Sequence, residues 1–124
     1  MTSTNQTALD VVLAYQEAWT SGDLETAAGC LAGDVVWIGP TARLDGPGDF
    51  MRGLGRFADT LAPGWRKIAA MADGDGVLLM FEVDTASGTP IRTADYFTVS
   101  GGRIQSDTMV FDTLAYRTAV AART

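Results

Sequence analysis

Apolar residues repeat along this chain first with a helical period and then with a period of two. Over residues 8–20, Leu9, Val11, Val12, Leu13, Tyr15, Ala18 and Trp19 cover most of a helix circumference, leaving a narrow polar stripe of Gln6, Asp10, Glu17 and Ser21. Such a helix must be buried on several sides. Thr7-Ala-Leu-Asp10 reads as a capping box with Asp in place of Glu, and Ser21-Gly22-Asp23 stops the helix. Asp23 caps a second predicted helix over residues 24–32, and residues 35–38 predict a short strand broken by Gly39-Pro40. Asp45-Gly46-Pro47 opens a third helix, on which Phe50, Met51, Leu54, Phe57, Ala58 and Leu61 recur until Pro63-Gly64.

Beyond residue 64 the pattern predicts strands. Residues 65–72 form one, followed by the hairpin turn Asp73-Gly-Asp-Gly76. Asp73 and Asp75 are spaced like the start of a calcium loop, but Val77 occupies the next ligand position, so the turn reading wins. Residues 77–86, 90–99 and 103–112 are rich in β-branched and aromatic residues, separated by Ser87-Gly88-Thr89-Pro90 and Ser100-Gly101-Gly102. Side chains alternate across a strand. Val77, Leu79, Phe81 and Val83 therefore share one face of the first run, opposite Leu78, Met80, Glu82 and Asp84. In the second run Ile91, Thr93, Asp95, Phe97 and Val99 face away from Arg92, Ala94, Tyr96 and Thr98. The tail, residues 113–124, carries at best a weak helical pattern.

The chain of 124 residues reads as a single domain (1–124), with 47% hydrophobic and 19% charged residues, enough for a real core. Net charge is −6, and the nine basic residues are scattered, which argues against nucleic acid as a partner. The apolar runs fall far short of a membrane span and no signal-peptide pattern appears, so the expectation is a cytoplasmic protein with no membrane partner. The lone Cys30 reads as a small helical core residue. No histidine is present, which removes Ser-His-Asp and Cys-His catalysis and histidine-based zinc sites. No metal or cofactor is expected.

The candidate chemistry lies in carboxylates set inside apolar strands: Glu82, Asp84, Asp95 and Asp107. Asp95 sits among Ile91, Phe97 and Val99, which favours a pocket-facing role. Glu82 and Asp84 are open to two readings. Hydropathy turns them to solvent, with Leu79, Phe81 and Val83 in the core. Pocket-facing acids would instead leave Leu79, Phe81 and Val83, with Tyr96 and Val110, as an outer patch covered by a second subunit. Asp107 depends on register: a three-residue turn Ser100-Gly-Gly102 places it opposite Asp95, whereas a two-residue Gly101-Gly102 turn puts Thr108 there. Four ionised carboxylates in one apolar cavity would repel, so at least one holds its proton near neutral pH.

Three helices followed by a long paired sheet resemble the cone-shaped α+β barrel of the nuclear-transport-factor-2-like superfamily. That group includes ketosteroid isomerases, limonene epoxide hydrolases, scytalone dehydratase and SnoaL-type polyketide cyclases. The residues that carry the resemblance are Tyr15 with Gly22-Asp23, residues 34–40, and Asp95-Tyr-Phe-Thr-Val-Ser-Gly-Gly-Arg-Ile104, spanning roughly residues 8–112. It implies three N-terminal helices packed on a strongly curved, mixed, mostly antiparallel sheet. Tyr15 and Asp95 match the isomerase's oxyanion donors, but its proton shuttle falls on Gly39, so efficient steroid isomerisation is not expected. Asp84 matches one aspartate of the epoxide hydrolase's Asp-Arg-Asp set, whose other positions hold Glu82 and Met109. Scytalone dehydratase relies on histidines that are missing here, and Asp107 lies nearest the acidic base of SnoaL-type cyclases.

The implied function is cofactor-independent acid–base chemistry on a small hydrophobic, oxygenated molecule such as a polyketide or terpenoid, in a homodimer. Asp95 and Tyr15 would act on the acid side, Asp107 or Asp84 as base. Trp19, Trp37, Leu54, Phe57, Met80, Glu82, Phe97, Met109 and Phe111 would line the pocket. The alternatives are a non-catalytic binding protein and a dimerisation module with a collapsed cavity.

Overall fold

A computed structural model describes residues 7–122; Gln6 of the expected polar stripe lies outside them. Helix α1 (Ala8–Thr20) begins with the expected capping box, in which the Asp10 amide donates to Thr7 Oγ1 at 3.1 Å and the Thr7 amide to Asp10 Oδ2 at 3.2 Å. Helix α2 (Leu24–Gly29) is capped by Asp23. Strands β1 (Leu31–Ile38) and β2 (Arg43–Asp45) precede α3 (Gly46–Ala58). Strands β3 (Arg66–Asp73), β4 (Gly76–Asp84), β5 (Pro90–Ser100) and β6 (Arg103–Phe111) follow, and α4 (Thr113–Ala122) closes the chain.

The six strands form one sheet in the order β2-β1-β6-β5-β4-β3. Only β1 and β6 run parallel, so the sheet is mixed and mostly antiparallel, as expected, and it curls without closing. Parallel pairing of β1 with β6 requires a long crossover, and the α3-to-β5 segment supplies it. Helix α1 lies over β3 to β6 and α3 over β1, so both pack on the concave face. The core fills the space between, with Val12, Val35, Val77, Leu79, Val83, Ile91, Phe97 and Ile104 fully buried.

Several boundaries differ from the sequence reading, and β1 begins at Leu31, four residues before the expected strand over 35–38. Helix α2 ends at Gly29 because Cys30 is drawn into the sheet, its carbonyl accepting from the Ile104 amide at 2.8 Å. Cys30 is therefore a half-buried helix cap and not a residue within the helix. Strand β2, three residues long, is too short to show a period. Helix α3 stops at Ala58, three residues before the last periodic position, Leu61. Helix α4 is well formed, capped by Asp112, whose Oδ1 accepts from the Ala115 amide at 3.0 Å. Its buried stripe is the small pair Ala115 and Ala119, while the larger Leu114 stays exposed, which hides the amphipathic pattern.

Candidate active site

Asp95 and Asp107 meet on the concave face of the sheet. In the β5–β6 hairpin Asp95 pairs with Met109 and Phe97 with Asp107, so the two carboxyls are diagonal neighbours on one face. The turn is the two-residue form, with Ser100 opposite Arg103, which alone would rotate Asp107 outward. A bulge at Gln105 inserts one residue into β6 and turns Asp107 back inside. The Gln105 amide braces this hairpin end, donating to the carbonyl oxygens of Ser100 at 3.0 Å and Arg103 at 3.4 Å.

Both acids are buried, at 4% exposure for Asp95 and 2% for Asp107, and the Oδ1 atom of each lacks a hydrogen-bond partner among the described residues. Their carboxyls lie within hydrogen-bonding reach of each other. Burial pushes Asp95 up to about 7, moderated by the hydrogen bond from Asp107. Asp107 is driven well above the ordinary carboxyl range, first by burial and then by the charge and hydrogen bond of Asp95. Burial and proximity thus favour a protonated state of the pair near neutral pH.

Helix α1 brings Tyr15 to this pair. The ring is wedged edge-on against Phe50 at 6.1 Å and Phe97 at 5.8 Å between centroids. Its phenol is raised well above its ordinary value by burial and then by the charges of Asp107 and Asp95, so it remains a proton donor. The expected Tyr15–Asp95–Asp107 group is therefore brought together by three different elements.

A cavity of about 220 Å³ opens beside this group. Helix α3 supplies Phe50, Leu54, Arg56 and Phe57 to its wall, β6 supplies Met109 and Phe111, and Trp37 and Tyr116 come from β1 and α4. Sheet register places it next to the acids: Trp37 is the β1 neighbour of Asp107, and Met109 the β6 neighbour of Asp95. The acids themselves lie one layer behind this wall. The Trp37 ring packs so closely over Gly39 that a Cβ there would collide with it. Where the resemblance places the isomerase's proton shuttle, this chain has an indole.

Of the other expected site residues, Trp37, Leu54, Phe57, Met109 and Phe111 line the cavity. Trp19 and Phe97 are core residues. The Trp19 indole N–H donates to Gln16 Oε1 at 3.0 Å, while Gln16 Nε2 is buried without a partner among the described residues.

Met80, Glu82 and Asp84 are on the opposite, outer face of the sheet. Arg66 bonds Asp84 at 2.9 and 3.0 Å, Arg92 bonds Glu82 at 2.8 Å, and these cations hold both carboxyls below their ordinary range. Asp84 is thus excluded from the acid cluster, and hydropathy was the better guide than family register. For the same reason Leu79, Phe81 and Val83 form core and no outer patch. Exposed apolar residues on the outer face include Ile38, Met71, Leu78, Tyr96 and Val110.

The sequence did not assign Phe50, Arg56 and Tyr116 to the pocket. Phe50 was legible as the first apolar position of α3, whereas Tyr116 lies on the helix whose pattern is weak, and nothing marks Arg56 among scattered cations. Among the described residues no group of His, Cys, Asp and Glu could hold a metal ion, and no helix is long and apolar enough to cross a membrane.

The chain is similar to several solved structures. A protein from Kribbella flavida shares 34% identity and superposes with a TM-score of 0.87, covering 96% of this chain and 98% of its own. An LEH-like epoxide hydrolase of M. tuberculosis shares 21% identity (TM-score 0.74, 93% and 90% covered), and a candidate polyketide cyclase from Sinorhizobium meliloti 24% (TM-score 0.73, 81% and 93%). No curated protein matches the sequence. The architecture is the nuclear-transport-factor-2-like cone fold. Residues 12–106 match the SnoaL-like domain, a span that runs from the helix carrying Tyr15 to the bulge that turns Asp107 inward, and the chain belongs to the SnoaL-like domain family.

Proposed function

We propose that the protein catalyses acid–base chemistry on a small apolar, oxygenated molecule bound in the cavity beside Asp95 and Asp107. One observation carries this reading: two carboxyls are buried side by side on the concave face, next to an apolar cavity, where burial favours keeping a proton on the pair. A pair in this state offers a base and an acid at once near neutral pH. Asp95, the lower of the two, accepts a proton from carbon or from water. Asp107 and the Tyr15 phenol donate to the oxygen on which charge develops. Isomerisation, cyclisation, dehydration and epoxide opening all use this division. Substrate reaches the acids when the flexible Met109 side chain or the Trp37 ring swings aside.

A second reading, binding without catalysis, draws on the seal between acids and cavity: neither carboxyl is on the cavity wall. Asp95 variants separate the two. Turnover is measured on a panel of small enones and epoxides. Asp95→Ala should lower it on the order of 10²–10³-fold. Asp95→Asn should be as damaging if Asp95 is the base, since an amide accepts no proton, and milder if Asp95 only donates. Turnover unchanged in both variants refutes catalysis by the pair.

A further inference from the structure

We propose that the cavity takes a small amphipathic carboxylate, its apolar body among the aromatic walls and its anionic head on Arg56. The inference rests on reading this cavity as the substrate pocket, and it names the class of molecule that fits. Arg56 is the one formally charged side chain on the cavity wall. Arg43, Arg52, Arg66 and Arg92 each hold a carboxylate partner; Arg56, like Lys67, Arg103 and Arg117, forms no ion pair among the described residues, and of these four it is the one on the cavity wall. In a chain of net charge −6, an unpaired cation at the mouth of an apolar cavity is a specific attraction for an anion.

The local geometry lays the guanidinium along α3 at the rim of the cavity. Gly53 lies one turn before Arg56 on α3, a position where glycine weakens a helix. A Cβ there would stand 2.6 Å from Leu44 Cδ1, so β2 packs directly on the bare helix backbone, and 3.9 Å from an Arg56 guanidinium nitrogen. The side chain, although exposed, therefore folds back along the helix over Gly53, which itself lines the cavity. Arg56 also sits in the last turn of α3, where any cation suits the helix dipole. That role does not require a place on the cavity wall. At about 220 Å³ the cavity falls below the roughly 300–1,000 Å³ typical of ligand pockets, which limits the body to one or two rings or a short branched chain.

The test is calorimetric titration at low salt with 1-naphthoate and its neutral isostere 1-naphthamide. The carboxylate should bind on the order of tenfold tighter. Arg56→Gln should remove that preference, leaving the amide's affinity and the melting temperature close to wild type. Equal affinity for the two probes in wild type overturns the proposal. So does an Arg56→Gln variant that weakens both alike, or absence of binding by either. These outcomes are independent of turnover: amide binding without an acid preference discards the anionic head and leaves acid–base chemistry standing. Unaltered turnover in the Asp95 variants removes the chemistry and leaves the binding result intact.

Discussion

Asp95→Asn should make the protein more stable above neutral pH, although it replaces a buried residue at the centre of the site. In the fold the Asp95 carboxyl is pushed from 3.8 up to about 7 by burial, whereas in the unfolded chain it titrates near its ordinary value. A carboxyl with a raised folded value stabilises the fold fully below the unfolded value. That stabilisation is lost as pH rises through the folded value, so the window runs from about pH 4 to 7. At about 1.4 kcal/mol per pH unit, the gap between 3.8 and about 7 corresponds to an upper figure of about 4 kcal/mol. Relaxation around the site and entry of water reduce this to about 2–4 kcal/mol, still a large share of the ~5–15 kcal/mol that holds a domain together.

The amide that Asp95→Asn introduces has the same shape as the carboxyl and no charge to bury, and it can still accept from Asp107. Urea denaturation followed by tryptophan fluorescence, at pH steps from 5 to 8.5, measures the difference directly. Wild type should lose stability relative to the variant as pH rises, with the variant ahead by about 2–4 kcal/mol at pH 8. Taken as a difference, the comparison cancels the opposite trend from Glu82 and Asp84, whose lowered values cost stability only in acid. Parallel pH profiles, or a variant that is less stable at pH 8, would show that Asp95 is ionised and well solvated in the fold and would end the shared-proton reading.

The protein should be a homodimer through the outer face of the sheet, where Met71, Leu78, Tyr96 and Val110 are exposed together. Sedimentation at micromolar concentration should give twice the chain mass, and Val110→Asp with Leu78→Lys should give a monomer; a wild-type monomer refutes it. Gly39→Ala should dislodge the Trp37 ring, because the added methyl collides with it. The near-ultraviolet circular dichroism should change while the far-ultraviolet spectrum stays the same, and an unchanged aromatic signal would place Trp37 elsewhere.

The sequence by itself determined the elements and most of the faces. Strong alternation in β4 and β5 grouped Val77, Leu79, Phe81 and Val83 on one face of β4 and Asp95 with Ile91 and Phe97 on one face of β5, because a period of two has only two sides; pairing then makes these the same face of the sheet. The capping box at Thr7 and the Gly-Pro start of α3 were equally legible, since both are chemistry within four residues of chain. Tertiary structure alone decided where Asp107 points, because a single unpaired residue in β6 reverses the face and a bulge leaves no mark in the composition of the strand. It also decided the partners of Glu82 and Asp84. Arg66 and Arg92 lie on neighbouring strands, and only register brings them alongside. Arg56 and Tyr116 join the cavity for the same reason: α3 and α4 are far apart in sequence, and the shared wall exists only once both pack on the concave face of the sheet.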